Sequence, residues 1–457
     1  MSVRNESMRI AGEKVGNERL LEVFNPYTNE LVGTVPCATI ENIKVAFEKA
    51  KAFKSKLSRH ERAEILSRAA DLLIERKEEF SDLISAEAGL CKKDTLYEVG
   101  RAYDVFKLSA KLVIQDDSEV FSCDISPHGK KRKIYTMRQP LLGVISAITP
   151  FNHPLNQVAH KVAPSIATNN RMVLKPSEKT PLSALLLADI LYEAGLPPAM
   201  FSIVTGDPKE IGDELLQNEH ADLVTFTGGV SIGHHIAENV GYRRIVLELG
   251  GNAALVVMED ADIDQASTLA VSGSFKNSGQ RCTAVKRILV HESLADEFAK
   301  AVVEKAAKVR YGDPMDQETQ MGTVIDEAAA KYCEDAVNDA VNQGAKVLLG
   351  HKRKGALYCP TVVDHVPADA KLVFKETFGP VAPMIRFKTI DEAIKIINAT
   401  EFGLSSGICT NRLDYITQFI EELEVGTVNI WEVPGYRIEM SPFGGIKNSG
   451  LGYKEGV

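Results

Sequence analysis

The stretch Asn277-Ser278-Gly279-Gln280-Arg281-Cys282-Thr283-Ala284-Val285-Lys286-Arg287 sets a thiol between an arginine and a threonine, just before the apolar run Ile288-Leu289-Val290. Ser-Gly ahead of it and a strand-like run behind it read as a loop that ends at a strand and can hold a thiol beside a cleft. The thiolate is the nucleophilic form, and positive charge from Arg281 and Lys286 favours it. The alternative is that Cys282 is one of seven cysteines and fills space. Glu248 stands inside the apolar run Val246-Leu247-Glu248-Leu249. An unpaired carboxylate is costly to bury there, so this one needs a partner or a chemical role. Asn152, after Pro150-Phe151, is either a turn residue before Pro154 or an amide donor. Glu178, in Lys175-Pro176-Ser177-Glu178, follows a short apolar run, where a carboxylate can accept from both hydroxyls of a ribose; the other reading is a helix cap before Pro181. Gly228-Gly229-Val230-Ser231-Ile232-Gly233 opens a helical stretch and suits an anion at a helix N-terminus, although glycines so spaced are a weak signal alone.

The elements that must position these residues follow from periodicity. Apolar runs at 144–148, 172–174, 201–204, 223–226 and 245–249 alternate with helix-period stretches such as 182–192, the pattern of a parallel doubly wound sheet. Ligands of such sheets sit beyond the carboxyl ends of the strands. The candidates fall there: Thr149-Pro150-Phe151-Asn152 after the first run, Lys175 to Glu178 after the second, Thr227-Gly228-Gly229 after the fourth, Glu248 in the fifth. A second α/β segment has runs at 254–258, 288–290, 347–349, 381–385 and 406–410. Ahead of both, turn signals at Asn25-Pro26 and Asn29-Glu30 suit a hairpin, and Ile65-Leu66-Ala69-Ala70-Leu73 marks amphipathic helices. A further helix from about Cys91 carries Glu98, Arg101, Asp104 and Lys107, with positions 101, 104 and 108 on one face. The basic run Pro127-His128-Gly129-Lys130-Lys131-Arg132-Lys133 reads as a solvated loop between strand-like arms, and His160 as a packing residue.

Composition sets the outer limits. A chain of 457 residues is long for one core, so two or three domains are expected. With 44% hydrophobic and 25% charged residues it is globular, and a net charge of −9 argues against general affinity for nucleic acid or acidic lipid. The start, Met1-Ser2-Val3-Arg4-Asn5-Glu6, has no apolar leader, and no run approaches a membrane span. Scattered cysteines suggest reduced thiols in a cytoplasm, and no Cys/His cluster has metal-ligand spacing, so no metal is expected.

Val246-Leu247-Glu248-Leu249-Gly250-Gly251, Pro150-Phe151-Asn152, the Cys282 stretch and Glu376-Thr377-Phe378-Gly379-Pro380, in that company, resemble the aldehyde dehydrogenase superfamily from about Asn25-Pro26-Tyr27 to Pro442-Phe443-Gly444-Gly445 and beyond. The resemblance implies an α/β fold with a parallel doubly wound NAD-binding domain at 1–122 and 141–250 and an α/β catalytic domain at 251–427. A bridging, oligomerising β-hairpin is implied at 123–140, and a C-terminal segment at 428–457 that returns to the active-site entrance. It implies Cys282 as nucleophile, Asn152 with the Cys282 N–H as oxyanion donors, Glu248 as general base and Lys175 beside cofactor and active site. NAD is expected to contact Thr149, Pro150, Lys175, Ser177, Glu178, Thr227, Gly228, Gly229, Gly233, Leu249, Gly250, Glu376 and Phe378. Glu376 would hold the nicotinamide ribose, and the Glu178 carboxylate disfavours the 2′-phosphate of NADP. Gly229 departs from the serine usual in the family, which leaves only a backbone amide for the phosphate.

Arg101, His153, Arg281 and Arg437, with Asn152 and Thr283, are expected to line the substrate entrance; guanidinium groups suit phosphoryl and carboxylate oxygens. Met8-Arg9-Ile10-Ala11-Gly12, the 97–106 helix segment, Pro150-Phe151-Asn152-His153-Pro154-Leu155-Asn156 and the segment from Asn429 to Arg437 are similar to the phosphonoacetaldehyde dehydrogenases. That similarity implies NAD-dependent oxidation of phosphonoacetaldehyde to phosphonoacetate in 2-aminoethylphosphonate breakdown. Alternatives are a non-phosphorylating glyceraldehyde-3-phosphate dehydrogenase, a sulfoacetaldehyde or succinate semialdehyde dehydrogenase, and, remotely, a non-catalytic nucleotide-binding scaffold. Esterase activity would be a side reaction of the same thiol. Relatives continue past 450–456 into a strand that pairs across subunits. With the sequence ending at Val457, either the natural chain runs further or its assembly differs, and the expected homodimer or homotetramer is weakened if that strand is truly absent.

Overall fold

The computed structural model describes residues 3–115 and 118–452. Met1, Ser2 and the stretch from Tyr453 to Val457 lie outside the described residues, and with them the expectations for the extreme N-terminus and the end of the C-terminal segment.

The first sheet has eight strands. Its parallel centre runs in the spatial order Arg244–Glu248, Ala221–Thr227, Val144–Ile148, Met172–Lys175, Phe201–Ile203. The chain enters at Val144–Ile148, winds one way through the next two strands and then returns to the other side. The strand order therefore reverses beside Val144–Ile148, and a crevice for ligands opens there. Val144 and Val173 face one layer of helices, Ile145, Ala147 and Leu174 the other, as the two-residue period of a strand requires. Helices Ile40–Ala52 and Pro208–Gln217 cover the first face, and helices Arg59–Glu75, Lys77–Ala88, Lys92–Val113, Asn156–Ala167 and Leu182–Glu193 the second. Two of these helices open with reciprocal caps, Thr39 with Asn42 and Ser58 with Glu61, which fix where the chain turns inward. The lead-in hairpin forms as expected, Leu20–Phe24 against Leu31–Pro36.

The chain crosses to the second sheet between Glu248 and Ala254. That sheet has seven strands, parallel except for the edge strand Lys346–Leu349, with an apolar core on each face. The sequence reading starts the C-terminal segment at 428, yet Thr427–Ile430 is still part of this sheet, because its parallel register with Ser405–Cys409 holds from Thr427 to Ile430. Beyond it the chain returns: Ile446–Lys447 pairs with Phe402–Gly403, and Gly450–Leu451 pairs antiparallel with Arg244–Glu248, with Gly450 opposite Glu248. Strands Val120–Ser122 and Lys133–Tyr135 form a separate hairpin whose basic tip is solvated.

Gly426 sits where a Cβ would overlap the Gly444 carbonyl, whereas Gly212, inside helix Pro208–Gln217, faces open space. Gly426→Ala is expected to cost about 1–3 kcal/mol from forced overlap. Gly212→Ala should gain about 0.5–1 kcal/mol from reduced backbone entropy. Scanning fluorimetry of the two variants should move the thermal midpoint in opposite directions.

Candidate active site

Helix Ile263–Phe275 ends in a short turn, Lys276–Gly279, whose residues Asn277, Ser278 and Gly279 have φ of 58°, 54° and 70°. Successive left-handed residues are strained, at about 1–3 kcal/mol for each non-glycine, and persist only when their surroundings fix them. Here the fixing groups are visible. The Asn277 N–H donates to Asp94 Oδ2 at 2.7 Å, and Asn277 Nδ2 donates to the Asn152 carbonyl at 3.0 Å. Lys286 Nζ donates to the Gly279 carbonyl at 2.7 Å and to the Thr377 carbonyl at 2.6 Å. Cys282 follows on this loop, half-buried and outside any disulfide. Its carbonyl packs so closely on Gly251 that any side chain there would overlap it. The thiol loop is therefore packed against Gly251, three residues after Glu248 in the chain.

Asn152 Nδ2 donates to the Gln280 carbonyl at 2.7 Å, which uses one of its two amide hydrogens and orients the other. The loop that carries it is capped by Glu98, whose Oε1 accepts from the Leu155 and Asn156 N–H groups, each at 2.9 Å. Glu98 Oε2 also lies 3.5 Å from His153 Nδ1. Glu98 is a buried carboxylate with a fixed task, and His153 is drawn toward it.

In the crevice of the first sheet, the hydroxyls of Thr149 and Thr227 are buried with no protein partner, although most buried hydroxyls have one. Helix Val230–Asn239 begins at Gly229 without a side-chain cap, so its first amides still seek an acceptor. Lys175 Nζ donates to the Pro176 carbonyl at 3.1 Å and sits 3.6 Å from Glu178 Oε2; burial lowers its pKa, and the carboxylate opposes that. Ser177 accepts from the Lys179 N–H. These unmet groups suit a dinucleotide. Two of the expected cofactor glycines have other work. The Gly228 N–H is already given to the Glu248 carbonyl at 3.0 Å, and a Cβ on Gly233 would stand 2.5 Å from the Leu249 methyls. Gly233 thus lets the helix approach the strand instead of exposing an amide. Leu249 is tied by its N–H to the Ser449 carbonyl. A Cβ on Gly250 would come 2.6 Å from Glu376 Oε2, and Glu376 Oε1 accepts from the Gly251 N–H at 3.2 Å. Burial raises the Glu376 pKa and Lys286 offsets part of it. Phe378 meets Phe151 edge-on at 5.9 Å, with Lys286 Nζ 4.7 Å from its ring centre. Pro150 adjoins this aromatic pair in the chain.

The expected cations assemble with additions. Burial lowers the pKa of Arg281, whose Nη2 donates to the Gly273 carbonyl at 2.7 Å; Arg437 lowers it further, while Cys282 and Asp94 oppose. Lys276, which sequence reasoning missed, sits 3.4 Å from the Tyr97 ring centre. Its pKa is lowered by burial and by the charges of Arg281 and Arg101. Arg437 lies over the Phe443 ring at 4.2 Å, and Thr283 is covered by Gly435 of the same C-terminal loop. Arg101 is already paired on one edge, its Nε donating to Glu439 Oε1. One expectation needs correction. His160 is not a packing residue, since its Nε2 lies 3.0 Å from Glu439 Oε2. Glu439 itself had no signal in the sequence beyond its place four residues before Phe443. Among the described residues no group of His, Cys, Asp and Glu could hold a metal, and no helix is long and apolar enough to cross a membrane.

Removing a buried hydroxyl that has no partner does not destabilise a fold. Thr149→Val and Thr227→Val should therefore leave the thermal midpoint unchanged or slightly raised, while each weakens NAD binding about five- to tenfold in a calorimetric titration. A drop in stability with unchanged binding would mean that these hydroxyls serve the fold.

Residues 13–457 match the aldehyde dehydrogenase family. Over 455 residues the chain is 39% identical to the 3-sulfolactaldehyde dehydrogenase of Priestia aryabhattai, covering 99% of this chain and 95% of that one. Its backbone follows that of aldehyde dehydrogenase 21 from Physcomitrella patens, solved with the reaction product succinate, at a TM-score of 0.96 and 36% identity over 100% of this chain and 95% of the other. The NADP-dependent glyceraldehyde-3-phosphate dehydrogenase of Bacillus halodurans, solved with NADP, gives a TM-score of 0.96 at 35% identity, with 99% and 96% covered. With the family match, the identity and the backbone likeness all running along nearly its whole length, the chain belongs to the aldehyde dehydrogenase family of oxidoreductases.

Proposed function

We propose that the protein oxidises small anionic aldehydes with NAD, phosphonoacetaldehyde foremost, to the corresponding carboxylates. The observation that carries this reading is the gathering of Arg101, Lys276, Arg281 and Arg437, whose charges act on one another and, through Arg281, on Cys282, in a protein of net charge −9. Buried like charges repel, Asp94 and Glu439 offset part of that repulsion, and a bound anion would offset more of it. A phosphonate or sulfonate head with three oxygens suits several donors at once.

The chemistry then falls to named residues. The Cys282 thiolate attacks the aldehyde carbon, and the carbonyl oxygen takes the negative charge between the second Asn152 amide hydrogen and the Cys282 N–H, each donor worth roughly 3–4 kcal/mol. A bound nicotinamide dinucleotide supplies the hydride acceptor. The resulting thioester on Cys282 is opened by water that has given its proton to Glu248, and the C–S bond breaks to release carboxylate and thiol. Thr149, Thr227 and the helix that starts at Gly229 hold the dinucleotide's polar groups; Glu178 holds its ribose and repels a 2′-phosphate. A sulfonated aldehyde is the second reading, favoured by the 39% identity to a 3-sulfolactaldehyde dehydrogenase. Exposed Phe121, Ile134 and Tyr135 on the hairpin support a homodimer or homotetramer formed through it.

Steady-state rates with phosphonoacetaldehyde, 3-sulfolactaldehyde, D-glyceraldehyde-3-phosphate and propionaldehyde decide the substrate. Arg281→Ala should cost the preferred anion about 10–100-fold in kcat/KM and propionaldehyde far less. NAD should outperform NADP, and Glu178→Gln should narrow that gap. An equal loss for all aldehydes would end the anion-pocket reading and leave the oxidoreductase intact.

A further inference from the structure

Glu439 is an acidic side chain beside these cations that the reaction does not use, and unlike Asp94 it comes from the C-terminal loop. It lies on the loop between strands Thr427–Ile430 and Ile446–Lys447, far in sequence from its partners, and its side chain is only 7% exposed. Its carboxylate reaches back to two helices at once. Oε1 takes Nε of Arg101, from helix Lys92–Val113, and Oε2 lies 3.0 Å from Nε2 of His160, from helix Asn156–Ala167. Burial would raise this carboxyl's pKa, but the bonds from His160 and Arg101 outweigh it and hold the group at about 2, so it stays ionised. Arg101 also interacts with the Tyr97 side chain, and its Nη2 is buried with no hydrogen-bond partner, so the guanidinium is fixed while that one nitrogen is left to be used.

Resting on the anionic-aldehyde reading above, we propose that Glu439 is a positioning residue: it holds Arg101 by its Nε edge, braced by His160, so that the remaining edge meets the anionic end of the aldehyde. An arginine already fixed loses less side-chain freedom when the substrate binds, and planar guanidinium bonds depend strongly on orientation. Glutamine at 439 can accept one bond from Arg101, but it cannot serve as a charged acceptor for both partners. Glu439 therefore acts on how tightly the charged end of the substrate is held, not on the chemical step.

A double-mutant cycle on the full-length enzyme tests this, with kcat and KM measured for phosphonoacetaldehyde and propionaldehyde. Glu439→Gln should raise KM for the anionic aldehyde about tenfold more than KM for propionaldehyde, with kcat for both falling by similar small factors. In an Arg101→Ala background, Glu439→Gln should add nothing to the anionic KM, and Glu439→Asp should recover part of the loss. Should Glu439→Gln fail to fold by circular dichroism, His160→Gln tests the brace from the other side and should show the same selectivity at smaller size. The proposal is overturned if Glu439→Gln tightens the anionic aldehyde, which would make Glu439 a mere charge offset. It is also overturned if both aldehydes lose equally, or if the full effect persists without Arg101. A wild-type enzyme that shows no preference for the anionic aldehyde overturns the substrate reading itself, and that result is read from the wild type alone.

Discussion

One face of helix Lys92–Val113 carries Asp94, Tyr97, Glu98 and Arg101, at the spacing of successive turns, and each of them reaches a different loop. Asp94 fixes the backbone of the nucleophile loop at Asn277. Tyr97 takes the ammonium of Lys276 on its ring, and Glu98 caps the chain just after Asn152 and His153. Arg101 ties down the C-terminal loop through Glu439. The helix itself is held rigid by its burial against helices Arg59–Glu75 and Asn156–Ala167, so the loops inherit a fixed mutual geometry. Without that face the left-handed turn before Cys282 would have little reason to persist.

The interior around the thiol is built from charge that is answered locally. Lys286 is fully buried, and burial pushes its pKa down to about 8, yet it bridges the carbonyls of the nucleophile loop and of the loop carrying Glu376 and Phe378. It joins the two halves of the site by hydrogen bonds where an apolar residue would leave two carbonyls stranded. Arg287, next in the chain, does a similar task for the Asn252 and Ile396 carbonyls. Around Arg281, by contrast, the cations also act on one another's charge.

Much of the frame could be read from the chain alone. The apolar runs at 144–148 and 381–385 are strands because a strand buried on both faces has no polar side to show, and their ends carry the residues that belong in a crevice. Glu248 drew notice as a carboxylate inside an apolar strand, whereas the roles expected of Cys282 and Asn152 rested on the resemblance to the aldehyde dehydrogenases and not on their local setting. What stayed hidden was pairing over distance. Asp94 and Asn277 are 183 residues apart, Arg101 and Glu439 338 apart, and no local pattern links them. His160 looked like packing because its neighbours are apolar, and the expected face through 101, 104 and 108 pointed the wrong way along the helix: Asp104 is exposed, and the useful residues lie toward its N-terminus. Gly228 and Gly233 fit a phosphate pattern by spacing, but only the backbone tells that one amide is spent and the other position is a packing contact.

The antiparallel pair between Gly450–Leu451 and Arg244–Glu248 has a consequence for biosynthesis. The strand bearing Glu248 gains its outer neighbour only when residues some two hundred positions later have left the ribosome. A nascent chain can build most of both sheets while that edge stays open, with the carboxylate's backbone still unpaired on one side. Closure of the sheet edge beside Glu248 therefore waits on a segment some two hundred residues further along the chain.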